Sequence, residues 1–115
     1  MLDNLWTANL ALRRRFPDGV EPFKMISRLA EECGELAAEV QLWENQGVKR
    51  QKQGEPDPQK LAKEVMDVMR AALAVAEYYH VEQELADTIQ LSIDGAVQAG
   101  LLTEAEGRQP ISGRT

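Results

Sequence analysis

Apolar residues return every three or four positions along nearly the whole chain, and no stretch alternates with the two-residue period of a strand. That periodicity restricts the 115 residues to an all-α fold, because helices of this pattern must bury their stripes on other helices. Four helices are expected. The first spans about Leu2 to Arg15, with Leu2, Leu5, Trp6 and Leu12 on one stripe. It ends at Phe16-Pro17-Asp18-Gly19, where Asp-Gly favours a turn. The second starts near Pro22, a favourable first-turn residue. It runs to about Asn45 and turns Ile26, Leu29, Cys33, Leu36 and Val40 inward. The third opens at Asp57-Pro58, an N-cap followed by proline, and continues to about His80. Its main apolar face is Leu61, Val65, Val68, Ala72, Val75 and Tyr79. The fourth covers about Glu82 to Ala99, with Leu85, Ile89, Ile93, Ala96 and Val97 inward and Gly100 as its C-terminal cap. One helical domain over residues 1–102 follows, with 103–115 as a mobile tail.

Charge narrows the function. A net charge of −6 excludes a general binder of nucleic-acid polymers, which needs a basic face. It leaves a single nucleotide open as substrate, since bound cations reverse the local sign. Cys33 is the only cysteine, so no intrachain disulfide forms, in keeping with a reducing cytosol. A small buried hydrophobe is its expected role. No secretory signal opens the chain and no apolar run approaches the roughly 20 residues of a membrane span. A cytoplasmic protein with no membrane partner is expected.

Two acidic pairs carry the chemistry: Glu32-x-x-Glu35 and Glu64-x-x-Asp67, each central in a long apolar helix. Residues three apart lie about 60° apart on a helix and share a face. Two such helices packed antiparallel bring four carboxylates into one space, where they repel unless protonated or bridged by cations. Hard oxygen ligands suit Mg²⁺ or Mn²⁺. The competing reading is a solvated acidic surface, because Asp18/Glu21 and Glu84/Asp87 share the same spacing. Glu39 lies between Glu32 and Glu35 on their stripe. Ala71, Ala74 and Tyr78 continue the stripe of Glu64 and Asp67, and the alanines leave room for a ligand.

The two pairs, their order and the 28-residue gap between them resemble the E-x-x-E…E-x-x-D signature of the MazG-like all-α nucleoside triphosphate pyrophosphohydrolases. The strings EECGEL and EVMDVMRAALAVA are similar to that family's motifs, and the likeness covers about Phe23 to His80. It implies a helical bundle completed by a second subunit, in a homodimer or homotetramer. It also implies a Mg²⁺-dependent enzyme that cleaves nucleoside triphosphates between the α and β phosphates, with Glu32, Glu35, Glu64 and Asp67 as metal ligands. A neighbouring carboxylate, Glu31, Glu35 or Glu39, would orient or deprotonate the attacking water. Arg28, Lys49, Arg50 and Lys52 are candidate phosphate contacts, Arg28 also being placed to pair with Glu32, and Trp43 is a candidate for stacking on the base. The last helix departs from the family: IQLSIDGAVQAG holds neither the lysine nor the asparagine that many members carry there.

Two other readings stand beside this one. A non-catalytic helical oligomer of the same fold is consistent with the missing lysine and asparagine. A di-iron carboxylate bundle would use Glu77-x-x-His80. That pair averages about 140° away from Glu64/Asp67 on the same helix, which argues against one shared site.

Overall fold

A computed structural model describes residues 2–44 and 55–108. Helix α1 spans Leu2–Arg15, a short 3-10 turn Pro17–Gly19, α2 Pro22–Trp43, α3 Pro58–Tyr78, α4 Glu82–Gln98 and α5 Glu104–Arg108. There is no strand among the described residues, so the all-α expectation holds. Lys49, Arg50 and Lys52 lie outside the described residues, as do Asn45 and the end of the tail.

Local chemistry sets the helix ends. The Glu21 carboxylate accepts hydrogen bonds from the backbone N–H groups of Phe23 and Lys24, both at 3.0 Å, and Pro22 follows it at the start of α2. These contacts hold the Glu21 carboxyl below its ordinary value of 4.5. Asp57 caps α3 by accepting from the Gln59 N–H at 3.0 Å, as its place before Pro58 predicts. At the end of α4, Gly100 takes φ +78°. Its N–H bonds the Val97 carbonyl, and the Leu101 N–H bonds that of Ala96. That is a Schellman closure, which favours glycine. The end of α3 repeats the motif with His80 at φ 56°, and Val81 N–H reaches the Ala76 carbonyl at 3.0 Å. The left-handed conformation is costlier for histidine than for glycine. Within the segment expected as tail, Glu104–Arg108 form α5, where Thr103 and Glu106 cap one another reciprocally.

Helices α2 and α3 pack antiparallel: Lys60 meets Glu39, and Glu64 and Asp67 meet Glu32. Helix α1 lies on α3 through the buried Asn9, which donates to the Arg70 carbonyl at 3.1 Å and to Glu77 Oε1 at 2.9 Å. Arg13 pairs with the other Glu77 oxygen.

The inward faces differ from those expected. The buried residues of α2 are Met25, Glu39 and Leu42, and those of α3 are Glu64, Asp67, Ala71 and Leu73. Ile26, Cys33 and Val40, expected inward on α2, are exposed, as are Val65, Ala72 and Tyr79 on α3. Cys33 is therefore not the buried hydrophobe expected. The physical reason is geometric. Periodicity defines an apolar face on each helix but not which neighbour that face meets, and here the α2–α3 seam takes the acid-bearing flanks. The chain is left with outward apolar faces and a radius of gyration of 17.2 Å, against about 13 Å for a compact 100-residue domain.

Candidate metal centre and cleft

The α2–α3 seam places one oxygen each from Glu32, Glu64 and Asp67 within 4.8 Å of one another. Glu64 and Asp67 are buried and Glu32 is half-buried. Antiparallel packing makes this arrangement, since Glu32 near the middle of α2 faces the middle of α3. Glu64 Oε2 is buried and has no hydrogen-bond partner. A buried carboxylate oxygen left so is costly, and an oxygen-seeking cation is the ligand that relieves it. Three carboxylate oxygens suit Mg²⁺ or Mn²⁺ better than softer metals.

Two cationic side chains already lean on the cluster. Lys63 Nζ sits 2.9 Å from Asp67 Oδ2 and 4.0 Å from Glu64 Oε1. The Arg70 guanidinium donates to Asp67 Oδ1. Their charges bear on the acidity of the group. Burial pushes the Glu32 carboxyl up, helped by the negative charges of Asp67 and Glu64 and opposed by Lys63 and Arg28. Burial also pushes Asp67 up, but hydrogen bonds and charge from Arg70 and Lys63 outweigh it, and its pKa is lowered. Lys63 is raised, first by its hydrogen bond to Asp67.

A cleft of about 500 Å³ opens beside the cluster. Glu32 and Asp67 form one edge, and α3 carries the floor through Arg70, Ala71, Ala74, Glu77 and Tyr78. Helix α1 supplies Asn9 and Arg13, and the residues flanking the 3-10 turn supply Phe16 and Val20. From Asp67 to Glu77 the floor runs about 15 Å along the helix axis.

The expected site residues divide. Glu32, Glu64 and Asp67 come together. Arg28 lines the cleft beside Glu32. Glu35 is exposed and outside the three-acid cluster, because its 60° offset from Glu32 turns it away from α3. Glu39, seven residues after Glu32, stays within about 20° of it and so faces α3. There it is fully buried with Lys60 Nζ 3.6 Å from Oε1, outside the cleft lining. Glu31 is exposed and borders a shallower depression with Lys24 and Arg28. Trp43 is exposed at the end of α2, away from the cleft.

Glu77 and His80 do line the same cleft as Asp67, contrary to the phase argument. Averaging over pairs hid an offset of only about 80° between Asp67 and Glu77, and α1 closes the remaining angle. Glu77 is nevertheless engaged by Asn9 and Arg13. Among the described residues, no metal-ligating group includes Glu77 or His80.

Sequence reasoning missed Asn9, Arg13, Lys63 and Arg70, and weighed Glu77 only as half of a di-iron pair. The signals were present. Asn9 interrupts the stripe of Leu5 and Leu12, and Lys63 and Arg70 stand four before and three after Asp67, within side-chain reach on a helix.

The chain matches no family model, no curated protein and no solved structure in the comparisons made. No helix among the described residues is long and apolar enough to cross a membrane.

Proposed function

We propose that this chain is a Mg²⁺-dependent nucleoside triphosphate pyrophosphohydrolase, acting as a homo-oligomer in the cytoplasm. The observation that carries the reading is the Glu32/Glu64/Asp67 cluster, with its partnerless buried oxygen, at the edge of a cleft lined by Arg13, Arg28 and Arg70. Acids that collect a cation next to arginines that collect an anion suit a phosphate ester bound with its metal. The three carboxylates would hold the cation, and Glu35, one turn along α2, is the fourth ligand expected by resemblance to MazG-like enzymes. When bound, the cation neutralises charge on the phosphate oxygens and lowers the pKa of coordinated water.

The chain's own residues do the rest. Arg28 and Arg70 meet the phosphates near the cluster. The floor of α3 carries sugar and base toward Phe16, Val20 and Tyr78, whose apolar surfaces suit a planar ring. Water attacks the α phosphorus, the bond to the bridging oxygen breaks, and pyrophosphate leaves. Glu39 is enclosed beside Lys60, whereas Glu31 and Glu35 are exposed on α2 next to Glu32, so one of those two is the carboxylate left to take the water's proton, although neither lines the cleft itself. The outward apolar residues Ile26, Val40 and Val65 are the surface a second copy covers.

The test is a panel of canonical and modified nucleoside triphosphates, assayed for monophosphate and pyrophosphate with Mg²⁺ and with EDTA. Metal-dependent release of both products by the wild type, abolished in Asp67→Asn with helicity retained, supports the reading. A folded protein inactive across the panel moves the weight to a non-catalytic oligomer. Glu35→Gln in the same assay separates a four-acid site from the three-acid cluster. Sedimentation giving a stable monomer removes the oligomer.

A further inference from the structure

The two cations on Asp67 differ in a way that assigns them different fates. Lys63 and Arg70 occupy both Asp67 oxygens, so a metal ion taking Asp67 as ligand competes with them. The Lys63 side chain is 62% exposed and lies outside the cleft lining. Once released, it returns to water with no lasting loss. The Arg70 side chain is 21% exposed and forms part of the cleft wall. Its Nε is buried with no hydrogen-bond partner. A guanidinium in that position that lost Asp67 would be a largely buried charge without a counter-ion, an unfavourable state. It requires another anion, and the space it borders is the cleft. Guanidinium geometry favours a phosphate, with two parallel N–H···O bonds.

We propose that Arg70 is an exchangeable counter-ion, held by Asp67 in the metal-free protein and turned to the phosphate chain of the substrate once a divalent cation takes Asp67. The inference rests on the pyrophosphohydrolase reading and adds a residue the acidic motifs do not contain. It makes cation and phosphate binding mutually reinforcing. Phosphate draws Arg70 away from Asp67 and so favours the metal, and by linkage the metal favours phosphate to the same degree. Lys63 opposes the metal only.

The experiment measures binding, not turnover. Mn²⁺ affinity is determined by calorimetry on wild type, Arg70→Gln and Lys63→Gln. Inorganic tripolyphosphate, a probe that carries no base, is then titrated with Mn²⁺ in excess. Both substitutions are expected to tighten Mn²⁺. Arg70→Gln should also weaken tripolyphosphate by about tenfold or more, whereas Lys63→Gln should leave it within about twofold. Should Arg70→Gln fail to fold, Arg70→Lys decides, since it keeps the charge and loses the paired hydrogen bonds. A several-fold weaker tripolyphosphate affinity with Mn²⁺ binding intact supports the proposal. Tripolyphosphate affinity unchanged at Arg70 overturns it, as does a wild type that hydrolyses nucleotides but has no affinity for tripolyphosphate. A wild type that binds neither Mn²⁺ nor tripolyphosphate and hydrolyses nothing overturns the enzyme reading, and this inference with it.

Discussion

Replacing Glu64 by glutamine should stabilise the metal-free protein and abolish its response to Mg²⁺. Glu64 is buried, and its ligand oxygen lies within 4.8 Å of those of Glu32 and Asp67. At that distance, with an effective dielectric constant of about 20, one like-charged pair costs about 3.5 kcal/mol. Asp67 is already compensated by Lys63 and Arg70, so the pair with Glu32 is the one to count. Against it stands the loss of Lys63, 4.0 Å from Glu64 Oε1. That lysine is largely exposed, and such a contact is worth at most about 1 kcal/mol. The net expectation for Glu64→Gln in EDTA is a gain of about 2–3 kcal/mol. Mg²⁺ then acts in the opposite direction. A cation at about 100 times its dissociation constant stabilises the wild type by about 2.7 kcal/mol, and the variant, lacking a ligand, gains little, so the gap closes. Urea unfolding followed by circular dichroism, with EDTA and with Mg²⁺, reads both halves. A variant less stable than wild type in EDTA would mean that the carboxylate is a structural ion-pair partner. An equal Mg²⁺ gain in both proteins would remove Glu64 from the cation site.

Three further outcomes are expected. The Glu32 carboxyl is raised above 4.5 by burial and by Asp67 and Glu64, so the stability it contributes is complete below that value and is lost as pH rises through its folded pKa. Glu32→Gln should flatten that fall in urea titrations run at several pH values. The lowered Asp67 acts oppositely, losing its contribution as pH drops below 3.8, and an unaltered upper limb in Glu32→Gln would refute the assignment. His80→Gly should raise thermal stability by about 1 kcal/mol, because His80 holds φ 56° at a cap that suits glycine. A lower melting temperature would mean that its side chain contributes more than its backbone costs. Asp57→Ala should cost about 1 kcal/mol by stripping the cap from α3, while Mn²⁺ affinity measured by calorimetry stays near wild type.

Helix positions were legible because their signals are local. Asp57-Pro58, Pro22 and Gly100 mark ends through backbone chemistry that needs no tertiary partner. The acid pairs were legible for the same reason, and Glu32, Glu64 and Asp67 met as their spacing suggested. The orientation of the helices was not. The stripe of Ile26, Cys33 and Val40 is as apolar as a core face, yet it points outward, because periodicity gives a direction relative to one helix and says nothing of what lies opposite. The same gap separated Glu35 from Glu39. Their stripe was correct, but only the packing of α2 on α3 decides that Glu39 is enclosed beside Lys60 while Glu35 is left at the surface. Asn9 and Glu77 are 68 positions apart, and no local pattern predicts that they bond.

The antiparallel seam of α2 and α3 has a consequence for how this chain can be cut and rejoined. The acids that gather at the seam are aligned by side-by-side packing of two helices that the chain joins between Glu44 and Glu55. Closing a longer connection costs only about 0.6 kcal/mol for each doubling of its length. Insertions between those residues should therefore leave the register of Glu32 against Glu64 and Asp67 intact. Two separately made fragments, one ending after α2 and the other beginning before α3, carry complementary halves of the acidic cluster, and on the proposed function Mg²⁺ added to the mixture would act as the signal for their reassembly.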